Sequence, residues 1–343
     1  MAESAPLVSI VVCNYNYEGY IAKAIESALA QNYPRIELII VDDGSTDGSR
    51  DVIESYRDRA EIIFKENEGQ ISAYNAALDI IKGEFVFFLD SDDRLLPNAA
   101  TEVVAAFNSN LAAAKVHFRL RLIDSTGTPT GGTIPTHLAS GPVSQIMLRQ
   151  QCLYQSAPGS GNAYKVSVLR KLAPLPLDNQ DKHGADFFAI YGCSLLGEVA
   201  TAGNGAPLGE YRVHRKEDQQ SFVLGNAAKR TNESERLKRR YARFQTWITH
   251  RLPNQVDLPA DIFEFSIEKQ DYARGLFNTN SYLEGFANGS KLLPRLAKSI
   301  LKRPSTATMK LGLLVWAIFI LVAPRSVGLP IARFVCNPAS RGQ

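Results

Sequence analysis

Cysteine is scarce in this chain, and the four present (Cys13, Cys152, Cys193 and Cys336) stand far apart with no Cys-x-x-Cys pair. That spacing excludes a zinc knuckle and suits a reducing compartment. Cys13 and Cys193 lie in apolar runs and read as buried thiols. A large charge imbalance is also missing: 38 Lys and Arg stand against 35 Asp and Glu, and a net charge of +3 is too small to argue for a nucleic-acid partner. The amino terminus, Met-Ala-Glu-Ser-Ala-Pro, has neither the basic start nor the apolar core of a signal peptide. The expected location is therefore the cytoplasm, unless the tail brings the protein to the inner face of a membrane. Two phosphate-binding fingerprints are missing, GxGxxG after the first strand and GxxxxGK[S/T] anywhere. A phosphate must then be held otherwise, and a divalent metal on an acid cluster would do it. With 343 residues, 45% of them hydrophobic, there is room for two domains or one large domain with an appendage.

What the chain does have is an apolar run that ends in acids. Phe85-Val86-Phe87-Phe88-Leu89 leads straight into Asp90-Ser91-Asp92-Asp93. A continuous aromatic-rich run suits a strand buried on both faces. Carboxylates at its carboxyl end sit where open α/β sheets bind ligands. Three acids within four positions repel one another unless a cation neutralises them, which suits Mg²⁺ or Mn²⁺. A polar turn capping the helix expected from Pro97 is the competing reading, and Asp93 is the residue best placed for that cap. The preceding segments alternate. A strand over 7–13 ends in Asn14-Tyr15-Asn16-Tyr17, and a helix follows with Ile21, Ile25, Ala28 and Leu29 at helical spacing. A strand over 36–41 ends in Asp42-Asp43-Gly44-Ser45-Thr46-Asp47, and a short helix reaches about residue 56. A strand over 61–65 precedes Asn67-Glu68-Gly69-Gln70, which opens a helix. This order predicts a parallel sheet with helices on both faces, and it gathers all four polar tips on one sheet edge. Asp42 or Asp43 suits a base or ribose edge there, and Tyr15 or Tyr17 suits stacking on a base.

These motifs resemble a known family. Residues 8–16, the stretch from Gln31-Asn32-Tyr33-Pro34 through Asp42-Asp43-Gly44-Ser45-Thr46-Asp47, Asn67-Glu68-Gly69 with Asn75, and Leu89-Asp90-Ser91-Asp92-Asp93 are similar, in order and spacing, to the family 2 glycosyltransferases of GT-A fold. The likeness covers roughly residues 7–125. It implies a Rossmann-like, mostly parallel α/β sheet flanked by helices, a nucleotide-diphosphate sugar donor and an inverting transfer. Carried over by position, Asp43 contacts the base, with Asn14 and Tyr15 lining the same pocket. Asn16, Asp42, Asn67, Gly69, Gln70, Asn75 and Ser91 complete the nucleotide-sugar site. Asp92 coordinates the metal and Asp90 supports it.

Further on, residues 113–123 read as one strand, and 126–142 as loop. Arg119 and Arg121 either flank the sheet or reach a phosphate. Ser156 to Tyr164, rich in small residues, precedes a helix at 166–172. It either carries backbone close to a ligand, with Gly161 and Asn162 as acceptor or diphosphate contacts, or is a plain entry loop. An inverting transfer needs a base to deprotonate the acceptor hydroxyl. The family places a Glu-Asp pair at the mouth of a helix here, but this chain has Ala185-Asp186. Asp186 is the expected base, with Asp178 and Asp181 as fallbacks. Pro207-Leu208-Gly209-Glu210-Tyr211-Arg212-Val213-His214 resembles the family's closing strand, with His214 as a candidate metal ligand and Arg212 or Arg215 as candidate diphosphate cations.

The expected organisation is a GT-A domain at 1–216, divided near 125 into nucleotide and acceptor halves, and a helical C-terminal region at 217–343. Residues 229–251 read as a packing helix with a basic outer face. The apolar run at 311–324 is shorter than the ~20 residues of a membrane span. With basic flanks, it reads first as an in-plane membrane helix, then as a docking helix, and last as a span. The function expected is a Mn²⁺- or Mg²⁺-dependent transfer of sugar from a UDP-sugar to a hydroxyl of a glycan or lipid-linked acceptor. A catalytically inactive sugar-nucleotide binding module and a HAD-type phosphatase using Asp42 or Asp43 are the alternatives.

Overall fold

The structure is a computed structural model and describes residues 5–179, 181–214 and 233–336. Arg215, and residues 229–232 of the helix expected over 229–251, lie outside the described residues. The chain divides into two compact units. One comprises Met1–Ser144, Tyr154–Val213 and Arg243–Val256; the other comprises Gln145–Leu153, His214–Ala242 and Asp257–Gln343. The chain passes between the two units five times, with one passage, Val213 to His214, close to the boundary expected at 216.

The first unit opens with the alternation read from the sequence: β1 (Val8–Asn14), α1 (Glu18–Leu29), β2 (Ile36–Asp42), α2 (Ser49–Glu54), β3 (Glu61–Phe64), α3 (Gln70–Ile80) and β4 (Phe85–Asp90). After a two-residue strand β5 (Arg94–Leu95) come α4 (Ala99–Ser109), β6 (Ala113–His117), β7 (Arg119–Ile123) and β8 (Pro129–Ile134). After α5 (Ser144–Gln150), which apart from Ser144 is counted with the second unit, follow β9 (Asn162–Lys165), α6 (Val166–Leu172), α7 (Ala185–Ser194), β10 (Glu198–Thr201) and β11 (Pro207–Arg212). A seven-stranded sheet has the order β10-β6-β9-β4-β1-β2-β3, and a four-stranded sheet the order β5-β11-β7-β8. In the larger sheet β9 alone runs antiparallel to its neighbours β4 and β6; the other pairs are parallel.

The aromatic run of β4 is buried along its length. Phe88 stacks on Tyr74 at 3.8 Å on one face, and Phe85 on Phe107 at 4.1 Å on the other. Burying each such ring removes about 2–3 kcal/mol worth of apolar surface from water, so this strand anchors the sheet. Register places the polar tips side by side: Asn14 pairs with Asp42, and Cys13 with Asp90.

Three expectations change. Residues 113–123 form two strands in different sheets, because the chain breaks at Phe118, whose N–H donates to Gly161 O at 3.0 Å. The loop expected over 126–142 contains β8, and the small-residue stretch before α6 contains β9. Asp93 does not cap α4: the N-cap is Asn98, with no side-chain cap bond, and Asp93 is held elsewhere.

The second unit contains α9 (Phe265–Phe277), α10 (Tyr282–Lys302), α11 (Ala307–Val322) and α12 (Arg325–Cys336). Their core is built by Tyr272, Leu276, Phe277, Leu296, Ile300, Trp316, Ala317 and Ile320. A further helix, α8 (Glu233–Arg251), is cut by the division of the chain. Its Phe244 and Trp247, counted with the first unit, pack on Phe188 of α7. Among the described residues no helix is long and apolar enough to cross a membrane.

Candidate active site

The carboxyl tips of β1 and β2 interlock through hydrogen bonds that few other residue types would supply. Asn14 Nδ2 donates to Asp42 Oδ1 at 2.9 Å and to Ser45 Oγ at 3.0 Å. Asp42 also accepts from Ser45 N and from Arg50 Nε. Asn16, at φ 57, accepts from Thr46 N through its Oδ1 at 2.7 Å. Asp43 accepts from Lys65 Nζ at 2.9 Å, from Glu68 N at 3.1 Å and from Gly69 N at 2.7 Å. Asp42 and Asp43 are thus the ties that shape this edge, both almost fully buried, while Tyr15 stands 44% exposed beside them. Gly44 is required: its φ is +79°, and a Cβ there would meet Asn67 N at 2.6 Å.

The 65–70 loop leads to the acids. Gln70 lies at the start of α3, and its Oε1 accepts from Gly184 N at 3.0 Å and Ala185 N at 3.2 Å, at the entry to α7. Its Nε2 faces Asp90 Oδ1 at 3.4 Å. One amide therefore links the end of β4 to the helix that carries Asp186. Gly69 meets the same segment so closely that a Cβ would lie 2.3 Å from that of Lys182.

Asp90 and Asp186 converge over Gly159. A Cβ on Gly159 would lie 3.5 Å from Asp90 Oδ2 and 3.9 Å from Asp186 Oδ2. Burial, then the charges of Asp92 and Asp186, push the Asp90 carboxyl from 3.8 up to about 7, against the pull of Gln70. Asp93 is also driven up by burial, Asp92 and Asp90, partly offset by the Arg212 N–H and the Ser160 hydroxyl. Two phenols border the same charges. Burial and Asp92, Asp90 and Asp93 push Tyr17 up to about 12, and burial with Asp93, Asp90, Asp92 and Asp186 raises Tyr211 strongly.

No ion pair observed among the described residues includes Asp90, Asp93 or Asp186. Carboxylates grouped this closely fit a divalent cation, and Asp90 and Asp92 are the residues that would hold it. Among the described residues no group of three or more His, Cys, Asp and Glu side chains stands in metal-binding geometry. His214, half-buried, is counted with the second unit.

Several residues selected from the sequence serve the scaffold. Asn75 clasps the Leu175 backbone with both ends of its amide, at 3.0 and 2.7 Å. Gly161 packs under Ala157 and Phe118 O. Asn162 is fully buried and donates to the carbonyls of Ala157, Pro158 and Gly159. Its role is to shape the loop that presents Gly159 and Ser160, whose hydroxyl accepts from Asp90 N at 3.1 Å. Arg212, 1% exposed, does not present itself to a diphosphate. Its guanidinium donates to the carbonyls of Asp92, Asp124 and Ser125 and lies 4.7 Å over the Tyr20 ring. Arg121 pairs with Glu210, and Arg119 donates to Thr136 O. Asp178 and Asp181 both face Arg243, at 2.6 and 3.7 Å. Ser91 is buried in the turn after β4. Tyr211 and Gly159 border the acids although the sequence expectation does not single them out; their signal is their place next to Arg212 and inside the Ser-Gly-rich segment.

Comparisons with known proteins give the family and the fold. Residues 9–173 match the model of Glycosyl transferase family 2. An uncharacterized glycosyltransferase of Nostoc sp., alr2836, is 35% identical over 238 residues, covering 66% of this chain and 70% of that protein. The Escherichia coli protein WfaP, a UDP-Glc:alpha-D-GlcNAc-diphosphoundecaprenol beta-1,3-glucosyltransferase, is 47% identical over 89 residues; the match spans 25% of this chain and 36% of WfaP. Among solved structures, Staphylococcus aureus TarS 1–349 in complex with UDP superposes with a TM-score of 0.53 at 18% identity, over 98% of this chain and 92% of that one. The fold is that of the GT-A glycosyltransferases. This chain belongs to glycosyl transferase family 2 and is a glycosyltransferase. The phosphatase alternative falls with that membership, and with Asp42 closed inside its turn at 0% exposure.

Proposed function

We propose that the chain is an inverting, divalent-metal-dependent glycosyltransferase that moves a sugar from a UDP-sugar to a hydroxyl of a glycan or lipid-linked acceptor. The observation that carries this reading is the convergence of Asp90 and Asp186 over Gly159, with Asp92 adding to the charge on Asp90. The relative WfaP, whose name specifies a UDP-glucose donor and a diphosphoundecaprenol-linked acceptor, supports the substrate class.

In this reading Tyr15, exposed at the rim, stacks on the base, while the Asn14–Asp42–Ser45 and Asp43–Gly69 ties hold the pocket's edge rigid. Asp186 takes the proton from the acceptor hydroxyl as its oxygen attacks the anomeric carbon. The bond from that carbon to the diphosphate oxygen breaks, and the electron pair leaves with the nucleoside diphosphate. A divalent ion on Asp90 and Asp92, when bound, would neutralise charge growing on that leaving group. Gln70 keeps the α7 entry, and with it Asp186, in register with Asp90. It does so at the position where Ala185 replaces the acid of the family's pair. Gly159 leaves the space between the two carboxylates open for the sugar.

The test is transfer and donor hydrolysis across a panel of sugar nucleotides, with Mn²⁺ and with chelator. Asp186→Asn is expected to lower turnover by about 10²–10⁴-fold while UDP binding stays within a factor of about two. Full turnover of that variant would refute the base assignment. Activity undiminished by chelation would refute the metal. UDP binding without any turnover in the wild type would favour an inactive binding module.

A further inference from the structure

Of the fifteen large hydrophobic side chains exposed among the described residues, twelve lie between residues 282 and 334. They concentrate on α11. One face of that helix is committed to the core of the second unit through Trp316, Ala317 and Ile320, and Ala317 O accepts from the Tyr272 hydroxyl at 2.7 Å. The opposite face carries Leu311, Val315, Ile318, Phe319 and Val322, each 44–63% exposed. Their spacing of i, i+4, i+7, i+8 and i+11 is a continuous helical stripe. A 16-residue helix is about 24 Å long, short of a ~30 Å hydrocarbon core. A helix with half its surface in a protein core also cannot stand alone in lipid. The charge around the stripe is one-sided: residues 282–336 contain eight Lys and Arg and a single acid, Glu284. Lys291, Lys298, Lys302, Arg325 and Arg333 are exposed.

We infer that the outer face of α11 is a membrane-docking surface that lies in the plane of an anionic bilayer. The stripe sinks among the acyl chains, and the surrounding Lys and Arg side chains meet acidic headgroups. An apolar stripe alone would suit a second copy of the chain equally well. Arg295 is paired with Asp261 and Glu268, which leaves seven cations against the one acid Glu284; this excess of six argues against that partner, because two such faces would repel. The inference does not rest on the donor chemistry proposed above, and vesicle binding is read without turnover.

The experiment is flotation of the full chain with vesicles of phosphatidylglycerol and phosphatidylcholine, with phosphatidylcholine vesicles alone, and at low and high salt. The sedimentation state without lipid is measured alongside. The expected result is binding to the anionic vesicles, at least tenfold weaker binding to the neutral ones, and release by salt. The double variant Ile318→Glu/Phe319→Glu, which changes only exposed positions, is expected to keep the wild-type unfolding temperature and lose at least tenfold in vesicle binding. Equal binding to neutral vesicles, undiminished binding of the double variant, or no vesicle binding at all would overturn the inference. Self-association of the wild type that the double variant abolishes, without vesicle binding, would assign the stripe to a second copy instead.

Discussion

Replacing Lys115 by methionine is expected to change the sign of a stability difference with pH. Lys115 on β6 is fully buried; its Nζ donates to Ser156 Oγ at 2.8 Å and lies 5.5 Å over the Tyr154 ring. Burial pulls the ammonium from its ordinary 10.5 down to about 7. Below about pH 7 both the folded and unfolded chains carry the proton, so the folded state bears the whole cost of the buried charge. Between about 7 and 10.5 the unfolded chain binds more protons, so this group makes stability rise with pH. At about 1.4 kcal/mol per tenfold change in proton affinity, the ceiling is about 5 kcal/mol. Water penetration and local relaxation bring the realised effect to about 2–4 kcal/mol. Methionine is an unbranched side chain one atom shorter than lysine and removes the charge, but it forfeits the Ser156 hydrogen bond, worth about 1 kcal/mol. Lys115→Met is therefore expected to be about 1–3 kcal/mol more stable than wild type at about pH 6, and level with it or slightly weaker at about pH 10. Urea unfolding followed by Trp247 fluorescence in a Trp316→Phe background reads the first unit, since these are the two tryptophans in the chain. Comparing the two proteins at both pH values cancels the titrating groups that do not sense Lys115; His117, held down by burial and by the Lys115 charge, and Cys193 do sense it, so their contribution stays in the difference. A difference that does not vary with pH by more than about 0.5 kcal/mol would refute the reasoning. Activity is expected to fall as well, because Ser156 donates to Asn162 Oδ1 at 3.1 Å, and Asn162 shapes the loop that presents Gly159.

Gly159→Ala places a methyl in ordinary van der Waals contact with Asp90 and Asp186, so stability is expected to hold within about 0.5 kcal/mol. Turnover is expected to drop by at least about tenfold, because the methyl occupies the reaction space; unchanged kcat would place the sugar elsewhere. Arg212→Lys exchanges a planar fork on three carbonyls for a point charge and is expected to cost about 2–4 kcal/mol in thermal or urea unfolding. An unchanged unfolding midpoint with weakened UDP binding would return Arg212 to the diphosphate. Gln70→Leu strips the acceptor from two N–H groups at the entry to α7 and is expected to lower kcat by about tenfold or more. The KM for donor should stay near wild type, and a change confined to KM would make Gln70 a donor contact rather than a positioning residue.

Much of this protein followed from sequence pattern alone. The βα alternation, the two-faced burial of the Phe85–Leu89 run and the alignment of four polar tips on one sheet edge rest on periodicity and on the reach of short connections. Both are local properties of the chain. The tertiary structure decided which polar residues face outward and which tie the scaffold. Asn75, Asn162 and Arg212 look like ligand contacts in sequence, because a buried amide or guanidinium and an exposed one are written with the same letter. Their carbonyl partners stand 3 to 120 positions away in the chain. The same holds for Gly159, whose importance comes from two acids that meet above it from positions 69 residues before and 27 after. The break of residues 113–123 into two sheets also depended on a distant partner, the carbonyl of Gly161. Composition announced an apolar, basic-flanked tail at 311–324. Only packing could divide that helix into a face owed to Tyr272 and a face left in water, because helical periodicity shows a stripe but not which side of it the rest of the fold will cover.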